Sequence, residues 1–388
     1  VSVTAPRGFR AAGVAAGLKS GGGGDVALVV NDGPDDAAAA VFTTNRFPAA
    51  PVLWSRRVLA GGRARAVVLN SGGANACTGP AGFQDAHATA EHAATQLGRA
   101  GLHVGAVDVA VCSTGLIGVR LPMDRLTAGI TAAAGALSGA GGDDAARAIM
   151  TTDSVPKTTV QAREGWTVGG MAKGAGMLAP SLATMLVVLT TDARVPADVL
   201  QRALKAATAV SLERVDSDGC LSTNDTVLVL ANGAGGAAPS EREVTAALTA
   251  ACADLAMQLL ADAEGSTKDI AITVRAAASV GDALTAGRAC ARNNLLKTAL
   301  FGNDPNWGRV LAAIGTTDAA FEPDRVDVTI NGVTVCRGGA IGDPRELVDL
   351  TGRAITIDVD LGAGTEQATI WTNDLSLAYV HENSAYST

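Results

Sequence analysis

Apolar and polar positions change period along this chain. Short runs that are continuously apolar or alternate with period two predict strands at 25–30, 65–70, 107–112, 185–190, 226–231, 269–274, 325–330 and 354–359. Apolar positions recurring every three or four residues predict helices over 85–99, 123–137, 196–211, 243–260 and 283–298. Ser240 followed by Glu243 fits a capping box, and Pro196 suits a helix start. Glycine-rich joints at 20–24, 140–144 and 232–236 punctuate these elements. Asn331-Gly332 between two alternating runs predicts a tight hairpin over 320–337. The mixture is α/β, but helices and strands do not alternate strictly, so neither a Rossmann unit nor a parallel barrel is expected.

Composition narrows the picture. With 388 residues and 48% hydrophobic side chains, the chain can bury one large core or two or three smaller ones. The 46 glycines have no collagen-like period, and aromatic residues are only 3%, which favours tight turns and close helix packing. A net charge of -8 gives no electrostatic case for nucleic acid or an anionic membrane. Residues 1–183 hold 15 basic and 12 acidic side chains, and residues 184–388 hold 15 and 26. Six scattered cysteines without a CxxC pair, no metal-ligand spacing, and no apolar run of membrane-spanning length lead us to expect a cytoplasmic protein without bound metal.

The segment 171–192, MAKGAGMLAPSLATMLVVLTTD, is the most unusual. Lys173 stands in a small-residue, turn-forming stretch, and Ala183-Thr184 precede an apolar strand. A threonine at a strand start is ordinarily structural, because a β-branched side chain suits a pleated sheet. Composition and spacing alone do not make Thr184 a nucleophile.

KGAGMLAP and ATMLVVLTTD resemble the cleavage and nucleophile segment of the bifunctional ornithine acetyltransferase, or glutamate N-acetyltransferase, family (ArgJ). VVLNSGGANACTG at 67–79, CSTGLIG at 112–118, MTTDSVPK at 150–157 and STNDT at 222–226 resemble it too. So do LLKTALFGNDPNWGRVLAAIG at 295–315 and WTNDLSLAYVHENSAYST at 371–388, all in family order. The resemblance implies a self-cleaving, N-terminal-nucleophile acetyltransferase fold, with mixed sheets packed by helices. It also implies a cut between Ala183 and Thr184, giving an α chain of residues 1–183 and a β chain of 184–388. The β chain would include a smaller C-terminal lobe at about 280–388.

The resemblance further implies that Thr184 carries the acetyl group, with its new α-amine as base. It places oxyanion donors at Thr114 and Gly115, and substrate contacts at Thr151, Lys173, Thr184, Glu264, Asn383 and Thr388. On chemistry alone, Lys173 suits a carboxylate and Thr151 or Thr152 can hydrogen-bond one. Glu264 alone would be read as a surface residue at a helix end. Trp371, Tyr379 and Tyr386 are candidate anchors for a tail folded back into the pocket. The polar 301–309 stretch is expected to support the active-site wall. Gly73 stands where a more polar residue is expected, and 216–220 differs slightly from the family pattern.

The implied reaction moves acetyl from N2-acetyl-L-ornithine to L-glutamate in arginine biosynthesis. No bound cofactor is implied, although some members take acetyl-CoA as a second donor. The resemblance also implies a heterotetramer of two α and two β chains. Two alternatives stay open on the residues alone: a hydrolase passing the acyl group to water, and a non-enzymatic regulatory or scaffold protein.

Overall fold

Strands that are apolar on every residue need cover on both faces, and the architecture supplies it. The computed structural model describes residues 2–177 and 185–385. In chain order its strands are β1 (Phe9–Val14), β2 (Val26–Asn31), β3 (Ala37–Phe42), β4 (Ala66–Ser71), β5 (Val109–Thr114), β6 (Lys157–Arg163), β7 (Trp166–Lys173) and β8 (Leu186–Thr191). There follow β9 (Thr226–Ala231), β10 (Asp269–Ala277), β11 (Asp327–Ile330), β12 (Val333–Arg337), β13 (Ala340–Ile341), β14 (Ala354–Asp360) and β15 (Glu366–Asn373). They form three sheets, with strand orders β1-β2-β4-β5, β3-β9-β8-β7-β6 and β13-β12-β11-β14-β10-β15. Each sheet mixes directions: β4–β5, β8–β9 and β10–β14 are parallel pairs within otherwise antiparallel ladders.

The first two sheets face each other. Along β8, Leu186 and Val188 enter one core while Val187 and Leu189 enter another; on β9, Leu228 and Leu230 part from Val227 and Val229 in the same way. This period-two partition is what a strand sandwiched between layers requires. The first core joins the β1-β2-β4-β5 sheet to helices Gly79–Arg99 and Met123–Ala136 and to the inner face of the second sheet. The second core joins the outer face of that second sheet to helices Ala197–Ala209 and Glu241–Ala261. The result is a four-layer helix–sheet–sheet–helix body.

Helix Glu241–Ala261 is long and apolar enough to cross a membrane by composition, but Val244, Leu248, Leu255 and Leu259 pack into the second core. Its N-terminus carries the expected capping box, with Ser240 Oγ accepting from the Glu243 amide and the Glu243 carboxylate accepting from the Ser240 amide at 2.8 Å.

A third core, built from Ile270 to Ile370, belongs to the remaining sheet and its helices. The Asn331-Gly332 hairpin is present between β11 and β12, with φ of 43° and 84° at the two turn residues. The single helix expected over 283–298 is two, Val280–Ala291 and Asn294–Phe301. The break is chemical: the Asn293 side chain accepts from the Leu296 amide at 2.9 Å and so caps a new helix. The 301–309 stretch, expected to support the active-site wall, belongs to the third core. It turns the chain between two short helices of the third core, where Asn306 caps helix Trp307–Ile314 and Trp307 packs on that core.

Candidate active site

The register of β7 on β8 pairs Lys173 with Leu186, so the connection between these strands leaves and re-enters the sheet at one end. At that end a cavity is lined by Thr114, Gly115, Thr151, Lys173, Glu264 and Asn383, among others. Residues far apart in sequence meet there because β5 and β7 end, and β8 and β9 begin, at this end of the sandwich. Ala183, Thr184, Thr388 and Tyr386 lie outside the described residues. Met185 is described, and its N–H donates to the Asp225 carboxylate at 3.1 Å.

Thr114 closes β5, and Gly115 makes the turn away from it with φ of 131°, a region open chiefly to glycine. A Cβ on Gly115 would stand 2.5 Å from the Gly73 nitrogen, and one on Gly73 would stand 2.7 Å from Leu121. The backbone at Gly73 thus fixes glycine at 115: the Gly73 N–H donates to the Thr114 carbonyl at 3.0 Å and brings the two loops together. Asn224 reinforces this junction, donating from Nδ2 to the carbonyls of Ala74 at 2.6 Å and Ser113 at 2.8 Å.

Lys173 is only 2% exposed. Its ammonium donates to Thr151 Oγ1 at 2.7 Å, lies 3.5 Å from Thr114 Oγ1, and pairs with Asp153 at 3.8 Å. An ammonium has only protons to give. Each threonine hydroxyl that accepts from it keeps its own proton for another partner, so Lys173 sets Thr151, and more weakly Thr114, as donors toward the cavity. Burial pulls the Lys173 pKa down, and Asp153 opposes that shift.

Asp153 is the hub beneath the site. It accepts from Lys157 Nζ at 2.7 Å, the Gly174 amide at 2.6 Å and the Thr151 amide at 3.0 Å. Burial alone would raise its pKa, but Lys173, Lys157 and these hydrogen bonds overcome it and hold the carboxyl at about 2. Lys157 spans to Asp262 at 2.6 Å, tying the strand to the end of helix Glu241–Ala261.

Glu264 follows that helix end, where its N–H donates to the Ala175 carbonyl at 2.9 Å. Its carboxylate lies across Gly176, where an added Cβ would stand 2.6 Å from Oε2. Asn383, on the last described helix, Leu377–Ala385, donates to Glu264 Oε2 at 3.0 Å. The helix is held close: Ser376 Oγ donates to the Gly265 carbonyl at 2.5 Å, and Trp371 packs on the second core.

The six described candidates therefore share one cavity, with a cation and a carboxylate on its walls. Asp153, Asn224 and Asp225 were not singled out from sequence, although the blocks MTTDSVPK and STNDT contain them. Their charged or amide groups within otherwise small, hydroxylated stretches were the available signal.

Comparison with known proteins agrees with this arrangement. The model of the ArgJ family matches residues 10–388. The arginine biosynthesis bifunctional protein ArgJ of Streptomyces coelicolor is 63% identical over 387 residues, covering 100% of both chains. The protein of the same name from Thermobifida fusca is 62% identical over 388 residues, again covering 100% of both. Among solved structures, ornithine acetyltransferase of Mycobacterium tuberculosis, complexed with ornithine, is 62% identical. That match covers 48% of this chain and 96% of the other, with a TM-score of 0.46. Matched by the family model from residue 10 to residue 388, and more than 60% identical end to end to curated members, the chain belongs to the ArgJ family.

Proposed function

We infer that this protein transfers the acetyl group of N2-acetyl-L-ornithine to L-glutamate in arginine biosynthesis, through an acetyl ester on Thr184. The observation that carries this is the convergence of Lys173, Thr151, Thr114, Gly115, Glu264 and Asn383 on one cavity at the end of β7 and β8. A cation and a carboxylate in one small cavity suit ligands that are themselves amino acids. Thr184 is joined directly to Met185, whose amide is anchored by Asp225.

The chain is cut before Thr184 to give an α chain of residues 1–183 and a β chain of 184–388, which stay folded as one protomer. The new α-amine has a reference pKa near ~8 and takes the Thr184 hydroxyl proton as the oxygen attacks the acetyl carbonyl. The oxyanion receives hydrogen bonds from the Thr114 hydroxyl and the Gly115 N–H. The tetrahedral centre then collapses, the held proton passes to the departing ornithine amine, and acetyl remains on Thr184. L-Glutamate enters the same site, its neutral amine attacks the ester, and N-acetyl-L-glutamate leaves with Thr184 regenerated. Lys173, Thr151, Glu264, Asn383 and Thr388 hold the two amino acids.

Two such protomers form the heterotetramer, and the cytoplasm is where we place it. The six unpaired thiols support that compartment. Acetyl-CoA can serve the same ester chemistry as a second donor, without being a resident cofactor.

Fate of the acyl group tests the reaction. With acetylornithine supplied alone, ornithine release should be slow; added glutamate should raise it sharply, with one N-acetylglutamate formed per ornithine. Release that ignores glutamate and yields acetate would make the protein a hydrolase.

A further inference from the structure

Asn224 lines the cavity and is buried, yet both protons of its amide nitrogen go to the protein. Nδ2 donates to the Ala74 carbonyl at 2.6 Å and to the Ser113 carbonyl at 2.8 Å, while Oδ1 accepts from the Thr223 hydroxyl at 2.6 Å. A side-chain amide has two protons to give, so none is left for a substrate. The two carbonyls belong to facing loops. Ser113 leads directly into Thr114 and Gly115, and the Ala74 N–H donates to the Leu116 carbonyl at 3.1 Å on their far side. Asn70 closes the same junction from below, accepting from Ser113 Oγ at 2.6 Å and donating to the Gly73 carbonyl at 3.1 Å.

The residues that follow Asn224 hold a different element. Asp225 accepts from the Met185 N–H at 3.1 Å, and the Thr226 N–H donates to the Met185 carbonyl at 3.1 Å. These bonds set the start of β8 on β9, in a parallel register that pairs Leu186 with Thr226. Three consecutive residues therefore grip two parts of the site: Asn224 holds the loop of Thr114 and Gly115, and its two successors hold Met185. Consecutive Cα atoms of a trans chain stay ~3.8 Å apart, so this segment has little freedom to change the spacing between the two parts.

We propose that Asn224 is a positioning residue for acetyl transfer, holding the Thr114 hydroxyl and the Gly115 N–H at a set distance from the chain at Met185. This deepens the proposed function and rests on its assignment of those two groups as oxyanion donors. Such donors stabilise a developing charge only when they are placed in advance, and a displacement of about 1 Å costs up to ~10²-fold in rate. With the chain cut before Thr184, Asn224 lies on the β chain and its two carbonyl partners on the α chain, so this contact also joins the chains.

The test compares the wild type with Asn224→Ala, Asn224→Asp, Thr114→Ala and the double variant Thr114→Ala/Asn224→Ala. Aspartate keeps the size of the side chain and the acceptor for Thr223, but as a carboxylate it has no proton for either carbonyl. Single-turnover acetylation of the β chain by acetylornithine is followed by mass, and rates are counted per chain that accepts acetyl. Both Asn224 variants are expected to react about 10- to 10²-fold more slowly than wild type, with the half-saturating acetylornithine concentration within about twofold. A merely structural residue would lower the reactive fraction and the melting temperature but leave the rate per reactive chain unchanged. Because Asn224 acts through the donors, the double variant should react within about threefold of Thr114→Ala alone. Wild-type rates in both Asn224 variants, or losses that multiply in the double variant, would overturn the positioning role and leave the proposed function standing. Thr114→Ala reacting at the wild-type rate would remove the oxyanion assignment, and the proposal with it. For an Asn224 variant that folds without dividing, amide hydrogen exchange over residues 112–118 decides, against uncut Thr184→Ala: faster exchange supports the role and unchanged exchange overturns it. Failure of both Asn224 variants to fold would make the residue structural only, and would overturn the proposal too.

Discussion

Asp153 shows how one buried carboxylate can organise a site without facing the ligand. Its two ammonium partners and two backbone donors fix Thr151, Lys173 and Gly174 relative to one another. Its pKa is depressed from 3.8 to about 2, so the native state binds its proton more weakly than the unfolded chain does. The associated stabilisation is present above pH ~4 and is lost as pH falls through ~2, on the order of 2 kcal/mol. Chemical denaturation between pH 5 and 2 should show that loss in the parent, and Asp153→Asn should abolish this portion of the slope. The same variant should be less stable at pH 7 by about 3–5 kcal/mol, because two buried ammonium groups lose their shared anion. Equal stability of parent and variant at pH 7 would contradict the hub role. The letters TTD at 151–153 did not reveal this: Lys157 stands only four residues on, but Lys173 is brought to the carboxylate by the pairing of β6 with β7.

At the scale of elements, the strands with continuous apolar runs were legible because layers cover both their faces. Strands β1 and β3 were not: FRAAGV and AAAAVF carry little intrinsic strand preference and owe their state to the neighbours they pair with. The connection between β7 and β8 shows the same dependence on context. Gly176 reads as one more small residue, yet the Glu264 carboxylate occupies the space a Cβ would need. Gly176→Ala should displace Glu264 from Asn383 and so raise KM for acetylornithine about tenfold, with a change in melting temperature of only a few degrees. Steady-state kinetics with both substrates checks this, and an unchanged KM would show that Glu264 does not hold the ligand. Glu264 itself looked like a helix-end surface residue because its partners, Gly176 and Asn383, come from distant parts of the chain.

Across the whole molecule, the cavity joins the four-layer body to the last described helix, and the third core is fastened alongside by a few specific contacts. Arg292, between two helices of that core, donates to the buried Asp216 of the body at 2.8 Å, and Lys297 donates to the Ser217 carbonyl at 2.7 Å. The family blocks that carried the sequence resemblance fall at these junctions and at strand ends over the cavity. Function was therefore more legible than layer order, which no local pattern encodes. The central claim is that the precursor divides before Thr184 and carries acetyl there. Intact-mass analysis of denatured protein, before and after brief exposure to acetylornithine, tests it most directly. Two fragments summing to the full chain plus one water, the second beginning at Thr184 and gaining one acetyl group, are the predicted result. An active protein that remains a single uncut chain would contradict it.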